Sequence, residues 1–304
     1  VPPEAIAGSA LELDFFVLGA QKAGTTTLHA WLATRPELAL PRLKETHYLC
    51  DEERWALGED WYARSFAPAT DGARRAEVDP EYLTSPLALD RLHRRWPRAR
   101  LVVLLRSPLE RSRSHHEMSR ARGLEPLEFE AALDAEAERT ASGAPEALRH
   151  HAYFARSRYA TWLDAIAEHA PGHPLHLVRS DELFGSRGED TWHALLRFLQ
   201  LEPGPIPERV GMRNGRWAAR SGWLNRHLRQ RTGLRRLLGR LVPSREWRLR
   251  LGTLVDRWNQ RPLRARANAP VLRAEWRERF DAEVAALEAR TGWDLANWRS
   301  EAPR

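Results

Sequence analysis

A single cysteine, Cys50, is the whole thiol content of this 304-residue chain. That excludes an internal disulfide framework and a Cys-based zinc site, and it suits a reducing compartment. Long apolar runs are missing too. No stretch approaches the ~18 residues that a membrane-spanning helix needs. No signal peptide is legible within the chain, although a start at Val1 rather than Met leaves a removed leader open. The expectation is a cytoplasmic protein. There is no Ser/Gly linker and no tandem repeat, which favours one domain over residues 1–304, with an α/β core over 14–200 and a mainly helical part over 201–304. Adjacent histidines at 115–116 and 150–151 cannot share a helix face, so no metal site is expected there.

Lysine is scarce in an unusual way. Lys plus Arg total 48, yet only Lys22 and Lys44 are lysine. A compact ammonium on a flexible stem is not replaceable by a planar guanidinium where geometry matters. Two positions that escape an arginine bias and lie close together therefore mark a candidate site. The net charge of +7 favours an anionic partner. Most of the excess falls after about residue 209, where Trp223 to Trp258 is Arg/Leu-rich with helical spacing and could dock an acidic acceptor or a membrane surface. At 42% hydrophobic the chain can still bury a sizeable core.

The site lies in the stretch Asp14 to Leu28, whose apolar Phe15 to Leu18 reads as a buried strand. Gly19 to Gly24 is a tight turn, and a helix starts at Thr25 with Leu28, Trp31 and Leu32 at helical spacing. A strand, a glycine-bearing turn and a helix N-terminus make an anion site, because first-turn N–H groups and the dipole both favour negative charge. Lys22 adds a point charge, Gly24 permits close approach, and Thr25, Thr26 and Thr27 add hydroxyls. The lysine precedes the second glycine, so this is not the nucleotide-triphosphate loop G-x-x-x-x-G-K-[ST].

Further elements follow in order. Trp55, Trp61, Tyr62 and Phe66 mark one or two short helices, Ala76 to Asp79 a strand, and Leu87 to Trp96 a helix. Arg100 to Leu105 is apolar enough for a central parallel strand, with a helix starting near Pro108. Arg106 at that strand's carboxyl end and Ser114 two turns into the next helix can converge on one phosphate. Leu124 to Arg149 reads as helical, Arg158 begins another helix, Leu175 to Val178 is a strand, and Trp192 to Leu199 a packing helix. Pro203 to Gly222 reads as a loop, and Leu272 to Trp298 as a long helix closed by Gly292.

Gln21-Lys22-Ala23-Gly24-Thr25-Thr26 resembles the 5′-phosphosulfate loop of the sulfotransferases that use 3′-phosphoadenosine 5′-phosphosulfate (PAPS). Lys44-Glu45-Thr46-His47-Tyr48 resembles the Lys-Glu-x-His-Phe segment of that family's heparan-sulfate branch. Arg106 to Ser114 resembles its 3′-phosphate segment. The resemblance is strong over about 14–120 and looser beyond. Two departures stand out: Val78 occupies a position where heparan-type enzymes carry a lysine, which puts glycosaminoglycan specificity in question, and Cys50 replaces an Asp.

The resemblance implies a P-loop-like sulfotransferase fold, a mostly parallel sheet with helices on both faces. It implies PAPS as donor, PAP (the desulfated nucleotide) as product, and no required metal. Ala23, Gly24, Thr25, Thr26, Thr27, Lys22, Arg106 and Ser114 would bind the nucleotide, with Arg216 and Trp217 in a loop over it. Glu45 would take the acceptor's proton, Lys22 would meet the charge on the leaving phosphate, and Lys44 and His47 would tune Glu45 or touch sulfonate or acceptor. The acceptor would be a small molecule or glycan, lipid-linked ones included, and not nucleic acid. Two rival functions remain at this point: a P-loop kinase or ATPase, and a non-catalytic module binding acidic polymers.

Overall fold

A computed structural model describes residues 11–67, 72–207, 217–219, 260–262 and 272–300. The chain divides into two compact units, Val1–Arg106 with Tyr159–Arg213, and Ser107–Arg158 with Asn214–Arg304.

The first unit is built on β1 (Phe15–Gly19), buried at every residue. It is the centre of a five-stranded sheet in which β2 (Leu38–Ala39), β3 (Arg74–Val78), β4 (Arg100–Leu105) and β5 (Leu175–Arg179) run in the order β2-β3-β1-β4-β5. All four pairings are parallel. Val17 stands opposite Val78 on one side and Val102 on the other, so the two middle pairings bring apolar residues into the core. Each such side chain contributes about 1.5–3 kcal/mol by leaving water. β4 is buried from Leu101 onward, as its sequence predicts, whereas β5 at the edge is half exposed.

Parallel neighbours end on the same side, so the segments after β1, β3 and β4 open along one edge of the sheet. β1 leads through residues 20–24 into α1 (Thr25–Leu32), which buries Leu28, Trp31 and Leu32. Two short helices, α2 (Glu52–Trp55) and α3 (Gly58–Ser65), carry the aromatic stretch. α4 (Pro86–Arg95) begins where Ser85 Oγ accepts from the Ala88 N–H and proline fills the first turn. After β4 the chain enters the second unit, then returns as α9 (Tyr159–His169), β5, α10 (Ser180–Leu183) and α11 (Gly188–Leu199).

The second unit holds α5 (Pro108–Ala121), α6 (Phe129–Asp134), α7 (Glu136–Thr140), α8 (Pro145–His151) and the long α12 (Ala274–Thr291). The single helical reading of 124–149 resolves into α6, α7 and α8; Pro145 opens the last of these and ends any continuous run. α12 stops at Gly292 in the left-handed conformation (φ 69°), the C-terminal signal visible in the sequence. Phe154 packs edge-on against Phe280 with ring centres 5.0 Å apart, in a core with Leu109, Leu133, Tyr153 and Trp276. Trp217–Ala219 and Gln260–Pro262 form an antiparallel pair, β6 and β7. The first of these falls inside the stretch expected to be loop, since its partner lies too far along the chain for a local signal. The expected Arg/Leu-rich helix over 223–258 lies outside the described residues. Among those residues no helix is long and apolar enough to cross a membrane.

Candidate active site

The turn after β1 is shaped by two left-handed residues, Lys22 (φ 74°) and Gly24 (φ 104°). Ala20 N–H donates to Leu104 O at 2.7 Å, which ties the turn to the end of β4. Gly24 is the N-cap of α1, and no side chain caps the helix there. A Cβ at Gly24 would lie 2.2 Å from the Phe184 ring, so the position admits glycine on two counts. Thr25 and Thr27 are buried and Thr26 is exposed. Thr27 is 1% exposed, and its Oγ1 finds no hydrogen-bond partner among the described residues. An uncapped helix start, a cradle that a Cβ would fill and an orphaned buried hydroxyl all fit a bound anion. Arg106, at the end of β4, reaches Lys22 O from Nη1 at 3.4 Å. Gln21 Nε2 donates to Glu81 Oε1 at 3.1 Å, which joins the turn to the segment after β3.

Lys44 and Glu45 form an ion pair with each other. Glu45 (φ 65°) and His47 (φ 54°) both hold left-handed backbone. Two carboxylates from β3 and its end clamp the residues beside them. Glu77 accepts from the Thr46 N–H at 3.2 Å, from Thr46 Oγ1 at 2.5 Å, from Tyr82 OH at 2.9 Å and from Tyr62 OH. Asp79 Oδ2 accepts from the His47 N–H at 2.7 Å, and both its oxygens lie within 3.2 Å of His47 Nδ1. Glu77 and Asp79 are two residues apart, hence on one side of the extended backbone. They hold Thr46 and His47 side by side.

Glu77 is fully buried, and burial, followed by the charge of Asp79, pushes its carboxyl up to about 7; the hydroxyls of Thr46, Tyr62 and Tyr82 pull the other way. His29, on α1, is pushed down to about 4 by burial and by the Lys44 ammonium, with Glu45 opposing. Its imidazole is therefore neutral at pH 7, and its buried Nε2 finds no partner among the described residues.

Lys22, Ala23, Gly24, Thr25, Thr26, Thr27, Lys44, Glu45, His47 and Arg106 thus all belong to the first unit. Ser114 lies on α5 in the second. Arg216 falls outside the described residues, and Trp217 is placed only as a backbone position in β6. Three functional candidates escaped the sequence reading: Glu77, Asp79 and His29. The alternation Glu77-Val78-Asp79 places two acids on one side of a strand end, which was the available signal for the first two.

The departures now have locations. Val78 is 1% exposed and stands opposite Val17, so a core valine replaces the expected lysine. Asp51, one residue after Cys50, accepts from the Arg54 N–H at 3.1 Å as the N-cap of α2. His115 Nε2 lies 2.9 Å from Arg149 O and His116 Nε2 2.9 Å from Leu127 O, each ring engaged with its own carbonyl. Trp55 sits under Arg91 and beside Tyr48, packed against both.

No family model matches the chain. The membrane-associated sulfotransferase kil1 of Dictyostelium discoideum is 35% identical over 109 residues, covering 35% of this chain and 23% of that protein. A bifunctional heparan sulfate N-deacetylase/N-sulfotransferase of Drosophila melanogaster is 26% identical over 212 residues, covering 62% of this chain and 20% of that protein. The chain therefore spans less than a quarter of the length of these relatives. The crystal structure of a sulfotransferase from Alicyclobacillus acidocaldarius superposes with a TM-score of 0.66 at 21% identity, over 95% of this chain and 99% of that one, and so shares its fold. The parallel sheet around β1 is thus the fold of a solved sulfotransferase, and over part of its length the sequence is similar to sulfotransferases.

Proposed function

We propose that this chain transfers the sulfuryl group of PAPS to a hydroxyl or amine acceptor. The observation that carries the reading is the clamp beside the anion-binding turn. Glu77 and Asp79 hold the segment with Lys44, Glu45 and His47 at the sheet edge where Lys22 and Arg106 also emerge. A cation for a leaving phosphate and a carboxylate for an acceptor's proton then share one edge of the sheet.

The bound nucleotide supplies an activated sulfuryl group. Lys22 and the first-turn amides of α1 meet the negative charge that grows on the 5′-phosphate, which is worth most in a site shaped in advance. Glu45 accepts the acceptor's proton, and its ion pair with Lys44 keeps the carboxylate turned toward that task. Arg106 reads the 3′-phosphate; Ser114 carries the same role from the sequence resemblance. The acceptor reading is broad: a glycan, a lipid or a small natural product. The relatives named for heparan sulfate favour a glycan, while the core valine at Val78 argues against heparan itself.

Thermal melting with PAP tests the nucleotide site. At a hundred times its dissociation constant a ligand adds about 2.7 kcal/mol of stability. PAP should raise the melting temperature more than adenosine 5′-phosphate does, and Arg106→Ala should remove most of that difference. No shift at saturating PAP, with the chain folded, would overturn the assignment.

A further inference from the structure

We infer that Glu77 is a positioning residue whose ionised carboxyl locks the backbone from Thr46 to Leu49, and that one proton taken up by Glu77 releases this lock and slows transfer. The effect on transfer rests on the sulfuryl-transfer reading; the lock itself does not.

Two donors reach each oxygen of the buried Glu77 carboxyl. Oε1 takes the Thr46 N–H and Thr46 Oγ1; Oε2 takes Tyr82 OH and Tyr62 OH. A carboxylate offers about four lone-pair positions, so the ionised group is filled. Two of these hydroxyls also accept. Thr46 Oγ1 takes the Tyr48 N–H at 3.1 Å, and Tyr82 OH takes the Leu49 N–H at 3.3 Å. Asp79 takes the intervening N–H, that of His47, at 2.7 Å. The N–H groups of four successive residues, Thr46 to Leu49, thus end on Glu77, on hydroxyls that Glu77 orients, or on Asp79. Glu45 and His47 flank Thr46 in left-handed backbone, which persists where the surroundings enforce it.

A proton on Glu77 upsets this arrangement. The carboxyl becomes a donor and keeps fewer positions for its four donors. A hydroxyl that accepts the carboxyl's proton must send its own hydrogen elsewhere. Tyr62 and Tyr82 are fully buried and Thr46 is 5% exposed, so water is a poor substitute. Burial and the charge of Asp79 push the carboxyl up to about 7 against the pull of the hydroxyls. Release therefore falls near neutral pH rather than in the ordinary carboxylate range. The groups facing Glu77 are Thr46, Tyr62 from α3, Tyr82 from the turn after β3, and Asp79, with His47 beyond it. Both phenols are pushed well above their ordinary range and keep their hydrogens.

The test combines carbon-13 titration, hydrogen exchange and turnover. Wild-type spectra should show a glutamate carboxyl that titrates near pH 7 and is missing in Glu77→Gln. Exchange, corrected for its intrinsic pH dependence, should show the amides of Thr46, Tyr48 and Leu49 losing protection about tenfold from about pH 8 to about pH 6. The amides of β4 should not follow. Release of labelled sulfate from PAPS, with water as acceptor, should fall by a similar factor. Glu77→Gln, whose amide donates as the protonated acid does, should be slow and flat across that range and bind PAP within a few-fold of wild type. Tyr62→Phe keeps the ring stacked 4.3 Å from Tyr48 and removes one donor from the carboxylate. It should move the carboxyl titration and the exchange midpoint upward by about one pH unit. His47→Asn should leave the carboxyl titration and the exchange change in place. A carboxyl that stays ionised below about pH 5, protection at 46–49 that ignores pH, turnover that ignores pH while the amides respond, an exchange change that vanishes in His47→Asn, or unmoved midpoints in Tyr62→Phe would each overturn the inference. Should the wild type release nothing from PAPS, the sulfuryl-transfer reading fails on its own, while the carbon-13 and exchange data still decide the lock. Should Glu77→Gln fail to fold, Tyr62→Phe and the wild-type titration carry the test.

Discussion

Lys22, Glu45 and His47 share a backbone conformation that side-chain-bearing residues seldom adopt. Besides them, only Gln200, at the end of α11, has a positive φ among the described non-glycine residues. Such conformations cost of order 1–3 kcal/mol each and persist where the surroundings over-determine them. For Glu45 and His47 the surroundings are Glu77 and Asp79. This separates side-chain chemistry from backbone strain in a variant. Lys22→Gly relieves the backbone but removes the ammonium, so it should keep or raise stability while turnover falls by about 10²–10³. Lys22→Arg should also turn over poorly, because the wider guanidinium misplaces the charge. Rates from labelled PAPS beside unfolding curves would decide; a Gly variant with normal turnover would remove Lys22 from the reaction. Glu45→Gln keeps shape but cannot take a proton. It should lose about 10²–10⁴ in transfer while binding PAP within a few-fold of wild type. Near-normal transfer in Glu45→Gln together with a dead His47→Asn would move the proton acceptor to His47.

α1 is an eight-residue helix that presses its first turn against Phe184 and its last against Trp192. Trp31 meets Phe184 and Trp192 edge-on, with ring centres 5.4 and 5.6 Å away. The N-terminus that would meet the phosphate is held by this aromatic wall rather than by a capping side chain. Gly24→Ala puts a methyl carbon 2.2 Å from the wall at a φ of 104°. Gly58→Ala, at φ 78° with nothing within 4 Å, carries the backbone strain alone. Denaturant unfolding should show Gly58→Ala losing about 1–2 kcal/mol and Gly24→Ala losing more, together with PAP binding. Equal losses in the two variants would mean that Phe184 yields freely and does not set the helix start. In β3 the corresponding element-level device is polar: fully buried Glu77 has its oxygens satisfied by Thr46, Tyr62 and Tyr82. Leaving such groups unmatched costs about 1–3 kcal/mol apiece.

Protonation couples these sites to stability. His29 is held down near 4, and burial lowers His116, His150, His173 and His176 as well. An unfolded chain takes up these protons around 6.5, while the folded one refuses them until lower pH. The unfolded state therefore binds more protons as pH falls from about 6.5 toward 4, and stability drops across that window. Glu77 acts in reverse. Its raised carboxyl keeps a proton in the folded state, so its contribution is full below about 4.5 and lost as pH rises to about 7. The histidines outnumber it, so the melting temperature should fall on acidification from pH 6.5 to 4. Glu77→Gln should steepen that fall and His29→Leu should soften it. Calorimetric melts at a series of pH values check all three; a flat profile in the wild type would show that the histidines are not held neutral.

The amino-acid order alone marked β1, the turn at 19–24, the start of α1, β4 and the end of α12. Each is encoded by near neighbours: an apolar run, a glycine at a left-handed position, a proline in a first turn. The two lysines pointed to the candidate site by their rarity. The carboxylates that hold that site were not legible, because Glu77 and Asp79 meet Thr46 and His47 across 31 and 32 residues of chain. Their meeting depends on β3 lying beside β1, which is a property of the sheet order and of no local pattern. The two-residue strand β2 and the pair β6–β7 escaped for the same reason, since a strand that short is defined by its partner rather than by its own period. Even the valine at 78 needed the register: only its place opposite Val17 shows that it is core, and that the expected lysine is replaced by packing rather than by another charge.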